Sequence, residues 1–274
     1  MNPNQLYDII VVGASAEGIA FCEKLLSKTK EVKVALISKH FKHLTKQNLE
    51  GIDLIEQEVV HSNYRHGLLI VSLADSTNIC GKTVIIATGS KPIKSTLKSA
   101  NIYYNISDLK PNKNGQAVIW GNDDLAVKYA LKLSKKFKYV YLCNNSLVLN
   151  CDTKLVTKIE NTANIVHLPN CNIIACKNNK EGNLVEVQLD TYSSIKCSAL
   201  VMSLGRSPEN PGISKKMIEL DVDGFVKTKA FNETTKVPNI FAIGECTRHA
   251  SSHSTTLTLN HIITRNNFKL KEEN

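Results

Sequence analysis

The first apolar segment of the chain ends in a tight turn that restricts its possible folds more than any other feature. Residues 7–12, Tyr-Asp-Ile-Ile-Val-Val, are typical of a buried strand, and residues 13–18, Gly-Ala-Ser-Ala-Glu-Gly, separate it from a helical pattern. Such a turn points the unpaired N–H groups and the dipole of a helix at one place, which favours an anion there. Gly13 and Gly18 match the outer glycines of the G-x-G-x-x-G pattern, with Ser15 between them. The pattern predicts a dinucleotide site, and a purely structural turn is the alternative.

A second copy of this arrangement follows about a hundred residues later. Residues 117–120, Ala-Val-Ile-Trp, are followed by Gly-Asn-Asp-Asp-Leu-Ala at 121–126 and by apolar residues at helical spacing over 127–133. Another strand pattern covers residues 139–143, as residues 32–37 do in the first copy. Two strand–turn–helix–strand units predict an α/β fold with two Rossmann-like nucleotide domains.

Length and composition are compatible with two globular domains. The chain has 274 residues, of which 42% are hydrophobic. It has no apolar run long enough to span a membrane, and residues 1–6 lack the features of a signal peptide, so we expect a cytoplasmic protein without a membrane partner. We expect reduced thiols rather than disulfides, because the cysteines are scattered singly at positions 22, 80, 143, 151, 171, 176, 197 and 246.

The basic charge does not by itself indicate a nucleic-acid partner. The formal net charge is +9, but the lysines are spread over the chain and do not cluster with aromatic residues. We therefore interpret the charge as a solvated basic surface and expect no nucleic-acid partner. The cysteines and histidines also lack the spacing of metal ligands, so we expect no metal site.

Three further strand patterns each end in a glycine-containing turn. Residues 83–87 precede Thr-Gly-Ser, residues 199–204 precede Gly-Arg-Ser-Pro, and residues 237–243 precede Gly-Glu-Cys. The motifs GASAEG, ATGSKP, GNDDLA, SLGRSPEN and VPNIFAIGEC, in this order, resemble those of the pyridine nucleotide-disulfide oxidoreductase family, particularly its thioredoxin-reductase-like branch. The resemblance covers nearly the whole chain. It implies an FAD domain formed by residues 1–113 and 208–274, with an NAD(P)-binding-like domain, residues 114–207, inserted in it.

The resemblance also implies a set of cofactor-binding residues. The glycine turn would bind the FAD pyrophosphate, the end of the strand at 83–87 would pass close to the cofactor, and Gly244-Glu245 would take the place of the family's Gly-Asp pair. An alternative for Glu245 is a carboxylate that only favours a helix dipole. The implied cofactors are FAD and NADH or NADPH, a homodimer is expected, and the cofactor-binding residues are Gly13, Ala14, Ser15, Ala16, Glu17, Gly18, Ser38, Lys39, Ala87, Thr88, Gly89, Gly244 and Glu245.

Several positions depart from the family pattern. Ser38-Lys39-His40 stands where the family places an acidic residue for the adenosine ribose, and the segment from there to Ile52 is shorter than in thioredoxin reductases. In the second turn, Asp123 replaces the middle glycine, and its carboxylate would repel a phosphate about 4 Å away by several kcal/mol. The strand that follows ends in Cys-Asn-Asn-Ser, residues 143–146, without a ribose-binding acid or an arginine. We therefore expect weak binding of NAD(P)H.

The redox-active C-x-x-C of thioredoxin reductases is also missing, because residues 99–115 contain no cysteine. The sequence therefore excludes dithiol exchange with thioredoxin as the mechanism. Cys246 is the candidate catalytic thiol, since a helix N-terminus there would favour its thiolate, and a buried structural cysteine is the alternative. His249 and His253 flank the same predicted helix start and are candidate proton donors or surface residues.

Two functions remain compatible with these residues. The first is an FAD-dependent oxidoreductase that passes electrons through flavin to a small-molecule or protein acceptor without a dithiol. The second is a degenerate, non-catalytic family member that acts as a nucleotide-binding, sensing or assembly module. The intact first turn and Glu245 favour the enzyme, whereas Asp123, Ser38 and the missing C-x-x-C favour the module.

Overall fold

The computed structural model describes residues 6–41, 49–209, 212–234, 236–248 and 251–271. The chain divides into two compact units, which we call unit 1 (Met1–Lys91 with Ser207–Asn274) and unit 2 (Pro92–Arg206). Each unit contains a parallel sheet and one strand–turn–helix of the kind that the sequence predicts.

The chain alternates between strands and a small number of helices. The α-helices are α1 (Ala16–Lys28), α2 (Asp124–Leu133), α3 (Thr153–Glu160) and α4 (Ser252–Arg265), and 3-10 turns cover Ala230–Asn232 and Gly244–Cys246. The strands are β1 (Leu6–Val12), β2 (Val34–Ser38), β3 (Ile52–Glu56), β4 (Val59–Arg65), β5 (Leu68–Leu73), β6 (Asn78–Ile86), β7 (Ser90–Pro92), β8 (Ile102–Tyr103), β9 (Asn112–Gly121), β10 (Phe137–Cys143), β11 (Ile165–Leu168), β12 (Ile173–Asn178), β13 (Leu184–Leu189), β14 (Ile195–Lys196), β15 (Ala199–Ser203), β16 (Arg206–Pro208) and β17 (Ile240–Ala242).

The sheet of unit 1 has the strand order β3-β2-β1-β6-β5-β4, and β17 also pairs with β6. Strands β3, β2, β1, β6 and β17 run parallel, whereas β4, β5 and the first part of β6 form an antiparallel meander. Ile9, Ile10 and Val11 are completely buried, although neighbouring residues of a strand face opposite sides of the sheet. Both faces of β1 are therefore covered, as is usual for parallel sheets.

Helices α1 and α4 cover one face of this sheet. Phe21 and Leu25 of α1 lie one turn apart and pack in the same cluster as Leu259 and Ile262 of α4. On the other face, a second cluster combines sheet residues with Met217, Ile218 and Val226. The parallel strands of unit 1 thus form the middle layer of a three-layer arrangement, which fixes the strand ends that carry the first glycine turn.

Unit 2 is built in the same way around a parallel sheet of order β11-β10-β9-β15-β8. Helices α2 and α3 cover one face, where Ala126, Ala130 and Leu133 are completely buried. The antiparallel sheet β12-β13-β14 covers the other face. The reversal of strand order at β9 creates a crevice beyond the carboxyl ends of the strands, where α/β proteins of this type bind ligands.

The boundary that the resemblance implied near Lys113 lies earlier in the structure, between Lys91 and Pro92. The reason is that β8 pairs with β15, and Ile106 and Leu109 are buried in the helix-covered core of unit 2. The second boundary, between Arg206 and Ser207, is within one residue of the expected one. In the part of the chain that the structure describes, no helix combines the length and the apolar character needed to span a membrane.

Burial of Phe21 between α1 and the sheet predicts a strong effect of its removal. Phe21→Ala is expected to lower the free energy of unfolding by about 3–5 kcal/mol, because it removes a fully buried aromatic ring and leaves a cavity. Chemical denaturation measures this change. Val222→Ala is the control, because Val222 is 98% exposed and its truncation should leave stability within about 0.5 kcal/mol of the original. Equal effects of the two changes would contradict the packing described.

Candidate functional site

The first turn of unit 1 brings the backbone of two strand ends into direct contact. Gly13 follows β1 with φ of +103°, and a Cβ at this position would lie 2.4 Å from the carbonyl oxygen of Ala87. A Cβ at Gly18, in the first turn of α1, would lie 2.6 Å from the carbonyl oxygen of Gly13. Both distances are far below van der Waals contact, so only glycine fits at either position. These are the tight-turn and close-packing roles that the sequence pattern predicts for the outer glycines.

Ser15, at the middle position of this turn, caps helix α1. Its backbone is extended, and its hydroxyl accepts a hydrogen bond from the backbone N–H of Gly18 at 3.2 Å. This is the usual geometry of an N-cap. A serine cap satisfies one free N–H of the helix without adding charge at the point where an anion would approach.

The other residues implied by the resemblance lie along the same edge of the sheet. Because β2, β1, β6 and β17 are parallel neighbours, their carboxyl ends carry Ser38, the first turn, Ala87–Gly89 and Gly244 side by side. A Cβ at Gly244, whose φ is +72°, would lie 3.0 Å from the Glu17 carboxylate, so these two residues are neighbours. The structure therefore brings the predicted FAD-binding segments together.

Glu245 is exposed, and its Oε2 accepts a hydrogen bond of 2.7 Å from the hydroxyl of Ser90. It follows Gly244 in a 3-10 turn rather than at the start of an α-helix, so the dipole alternative does not explain its position. Ser90 was missed by sequence reasoning. Its position after Gly89, at the end of a buried strand, was the only available signal.

Ser38 and Lys39 lie at the carboxyl end of β2 but contact local partners. The Ser38 hydroxyl donates to the carbonyl oxygen of His40 at 3.0 Å, and the Lys39 ammonium pairs with Glu58 at 2.9 Å. The register of β2 and β3 places Glu56 directly beside Ser38. A carboxylate is thus present at this edge from the neighbouring strand, although β2 itself lacks one. Residues 42–48, which include most of the shortened segment, lie outside the described residues.

The prediction of a reactive thiolate at Cys246 is wrong. Cys246 ends the 3-10 turn Gly244–Cys246, whereas helix α4 begins at Ser252, so the thiol does not lie at the start of that helix. The side chain is completely buried, and its Sγ donates to the carbonyl oxygens of Ile86 and Ile243 at 3.4 and 3.2 Å. Burial raises the pKa of Cys246 to about 12. The alternative of a structural cysteine is therefore the correct one.

Neither histidine near this turn changes that conclusion. His253 is exposed in the first turn of α4, and His249 lies outside the described residues. Among the residues that can be described, no group of three or more histidine, cysteine, aspartate or glutamate side chains has a geometry suited to a metal ion.

The second turn repeats the geometry of the first with a different charge. A Cβ at Gly121 would lie 2.5 Å from the carbonyl oxygen of Ser203, the counterpart of the contact between Gly13 and Ala87. Asp123 caps α2 by accepting a hydrogen bond from the N–H of Ala126 at 2.9 Å, and the Ser203 hydroxyl lies 3.3 Å from the same Oδ1. The cap that is a neutral hydroxyl in unit 1 is a carboxylate in unit 2.

Asp124 adds a second carboxylate to the first turn of α2. It accepts a hydrogen bond from the backbone N–H of Asp152 at 2.9 Å and pairs with Lys128 at 3.2 Å. These two contacts, the first being the larger, lower the pKa of Asp124. Asp124 does not line the crevice at the strand ends, whereas Asp123 does. The crevice is a cleft of about 280 Å³.

Comparison with known proteins places the chain in a family. The model of the pyridine nucleotide-disulphide oxidoreductases matches residues 7–261. The chain belongs to this family. It is 23% identical to a thioredoxin reductase of Mycoplasma genitalium, with 88% of this chain and 87% of that protein aligned. It is 22% identical to ferredoxin–NADP reductase 1 of Bacillus cytotoxicus, with 91% and 84% aligned.

Solved structures support the same fold. Thioredoxin reductase of Lactococcus lactis superposes with a TM-score of 0.77 at 15% identity, covering 94% of this chain and 98% of that one. Thioredoxin reductase of T. acidophilum gives the same TM-score and identity, covering 96% and 99%. The predicted α/β fold with two dinucleotide-binding domains is therefore confirmed, and so is the flavoprotein oxidoreductase family.

Thioredoxin reductases and ferredoxin–NADP reductases of this family use FAD and NAD(P)H. The residues of unit 1 fit FAD. Gly13 packs against the neighbouring strand end without a side chain, and the cap of α1 is neutral, so the start of this helix favours an anion. The residues of unit 2 do not fit NAD(P)H, because the carboxylate of Asp123 holds the N-terminus of α2 where the pyrophosphate would bind.

The buried position of Cys246 predicts low reactivity toward alkylating reagents. In folded protein at neutral pH, iodoacetamide is expected to leave Cys246 unmodified, because its thiol keeps the proton until the pH approaches its pKa of about 12. Mass spectrometry of the digested protein measures the labelling. Cys80, which is partly exposed, is the internal control, and unfolded protein should react at both positions. Equally fast labelling of Cys246 and Cys80 in folded protein would contradict the structure.

Proposed function

We propose that the chain is an FAD-dependent oxidoreductase that holds FAD in unit 1 and passes electrons through the flavin to a small-molecule or protein acceptor. The observation that carries this proposal is the first turn. It combines two glycines that permit no side chain with a neutral cap on α1, at the shared edge of four parallel strands. Membership of a flavoprotein oxidoreductase family supports the same reading.

The proposal assigns separate roles to the residues at this edge. The N-terminus of α1, capped by Ser15, would bind the diphosphate, because its free N–H groups and dipole favour an anion. The carboxylate of Glu245, oriented by the hydroxyl of Ser90, would accept hydrogen bonds from hydroxyl groups of the cofactor. Bound FAD would supply the capacity to accept and release electrons.

The chain lacks the C-x-x-C dithiol of thioredoxin reductases. No two of its eight cysteines have C-x-x-C spacing. Cys246, the cysteine nearest the proposed FAD-binding residues in sequence, is buried and protonated. The acceptor proposed here is therefore one that takes electrons from the flavin rather than from a protein thiol.

A second candidate function is a non-catalytic nucleotide-binding, sensing or assembly module. Asp123 favours it, because a carboxylate cap in unit 2 removes the usual site of an electron-donating dinucleotide. The burial of Cys246 favours it as well. The enzyme remains the better-supported function, because the turn that would bind FAD keeps its close packing and its neutral cap.

Reconstitution with FAD tests the oxidoreductase directly. Purified protein incubated with FAD is expected to keep visible flavin absorbance through gel filtration, because unit 1 binds the cofactor. A chemical reductant should bleach this absorbance and ferricyanide should restore it. Protein that stays colourless after incubation with excess FAD would contradict the proposal. Protein that is yellow but exchanges electrons with no added acceptor would support the module instead.

A substitution at the cap of α1 tests the proposed diphosphate site. Ser15→Asp is expected to weaken FAD binding at least about tenfold, because it adds a negative charge beside the diphosphate. Quenching of flavin fluorescence measures the affinity. Aspartate and asparagine are both strong N-cap residues, so Ser15→Asn is the matched neutral control. Both variants should keep the melting temperature of the original protein. Equal FAD affinity in the two variants would place the diphosphate elsewhere.

A further inference from the structure

The cleft of unit 2 lies at the carboxyl ends of three adjacent parallel strands. Trp120 and Gly121 end β9, Asn144 and Asn145 follow β10, and Ser203 ends β15. The strand order reverses at β9, so the cleft of about 280 Å³ occupies the position at which α/β sheets bind ligands. Its location predicts a ligand site, and its lining decides which ligand fits.

The charge of the lining opposes a phosphate-bearing ligand. Among the described residues that line the cleft, Asp123 alone carries a charged side chain, and it is negative. This carboxylate is held in place by the N–H of Ala126 and the hydroxyl of Ser203. Turning it away would leave the helix N–H without its cap. A pyrophosphate entering the cleft would therefore meet a fixed negative charge with no cation in the lining to compensate it.

Two of the neutral amides that line the cleft are held by hydrogen bonds. Asn144 is buried, donates to the carbonyl oxygen of Ser146 at 2.7 Å, and its Oδ1 lies 2.7 Å from Nε2 of His167. Asn122 accepts from the backbone N–H of Asn150 at 3.2 Å. These contacts hold both amide side chains in place. Trp120 adds an aromatic surface beside them.

We propose that this cleft excludes NAD(P)H and binds an uncharged, ring-containing ligand of nucleoside size that donates hydrogen bonds to Asp123. Amine and hydroxyl groups of such a ligand suit a carboxylate acceptor, and its ring suits the indole of Trp120. Adenosine is the probe for this class. The inference concerns unit 2 and does not depend on binding of FAD by unit 1, so the two proposals can fail separately.

The chain offers a site-specific optical readout for this inference. Trp120 is its single tryptophan and lines the cleft, so its fluorescence reports ligands that enter there. Adenosine, AMP and NAD⁺ are titrated separately into the protein, and the change in Trp120 fluorescence gives the affinity of the cleft for each. The original protein is expected to bind adenosine at least about tenfold more tightly than AMP or NAD⁺, because only the latter two carry negative charge.

A neutral cap at position 123 should reverse this preference. Asp123→Ser is expected to raise the affinities for AMP and NAD⁺ at least about tenfold, since serine caps the helix without charge, and to lower that for adenosine about fivefold or more, since the carboxylate that accepts its hydrogen bonds is gone. Asp124→Asn is the matched control, because it removes the same charge from the same helix turn but outside the cleft. It should change none of the three affinities by more than a few-fold.

Three results would overturn the inference. One is binding of NAD⁺ or AMP to the original protein at least as tightly as adenosine. Another is the absence of any adenosine response in the fluorescence of Trp120. The third is equal behaviour of the Asp123→Ser and Asp124→Asn variants, which would mean that the charge at the cap does not select the ligand. Circular dichroism of each variant establishes that α2 and the fold are intact.

Discussion

A hydrogen bond that a backbone N–H in the first turn of a helix donates to an N-cap side chain holds each of the two glycine turns of this protein together. In unit 1 the hydroxyl of Ser15 accepts from the N–H of Gly18, and in unit 2 the carboxylate of Asp123 accepts from the N–H of Ala126. Each cap fixes the start of a helix at the end of a buried strand. The position of the helix then sets where its free N–H groups and its dipole point.

The two caps are nearly equivalent for folding but opposite for binding anions. Serine and aspartate rank together as N-cap residues, so exchanging one for the other changes helix stability little. A carboxylate, however, puts a negative charge at the helix N-terminus, where a phosphate would otherwise bind favourably. The fold of unit 2 can therefore persist without its usual ligand. This explains how a chain can keep the family's architecture, with a TM-score of 0.77, while one of its two turns no longer suits a dinucleotide.

Sequence reasoning was accurate where a single local interaction determines the structure. The apolar run of β1 identifies the strand, and the glycines that follow it identify the tight turn into α1. The turn is recognisable because the close contact of Gly13 with Ala87 tolerates no other residue. Sequence reasoning failed where long-range packing decides. Edge strand β4, Val59–Arg65, exposes most of its side chains, so no apolar pattern in the sequence identifies it. Burial of Cys246 likewise depends on a core that only the folded sheet creates.

The chemistry follows from what each unit retains. A protein dithiol would carry electrons from the flavin to the final acceptor. A dinucleotide bound by unit 2 would carry electrons to the flavin. This chain has no C-x-x-C spacing, and the cap of α2 opposes a pyrophosphate. Under the proposed function, electrons would therefore enter and leave at the flavin that unit 1 is proposed to hold. Donor and acceptor would then react with the same flavin, so the residues near its ring, rather than a thiol pair or a nicotinamide cleft, would determine the specificity for both.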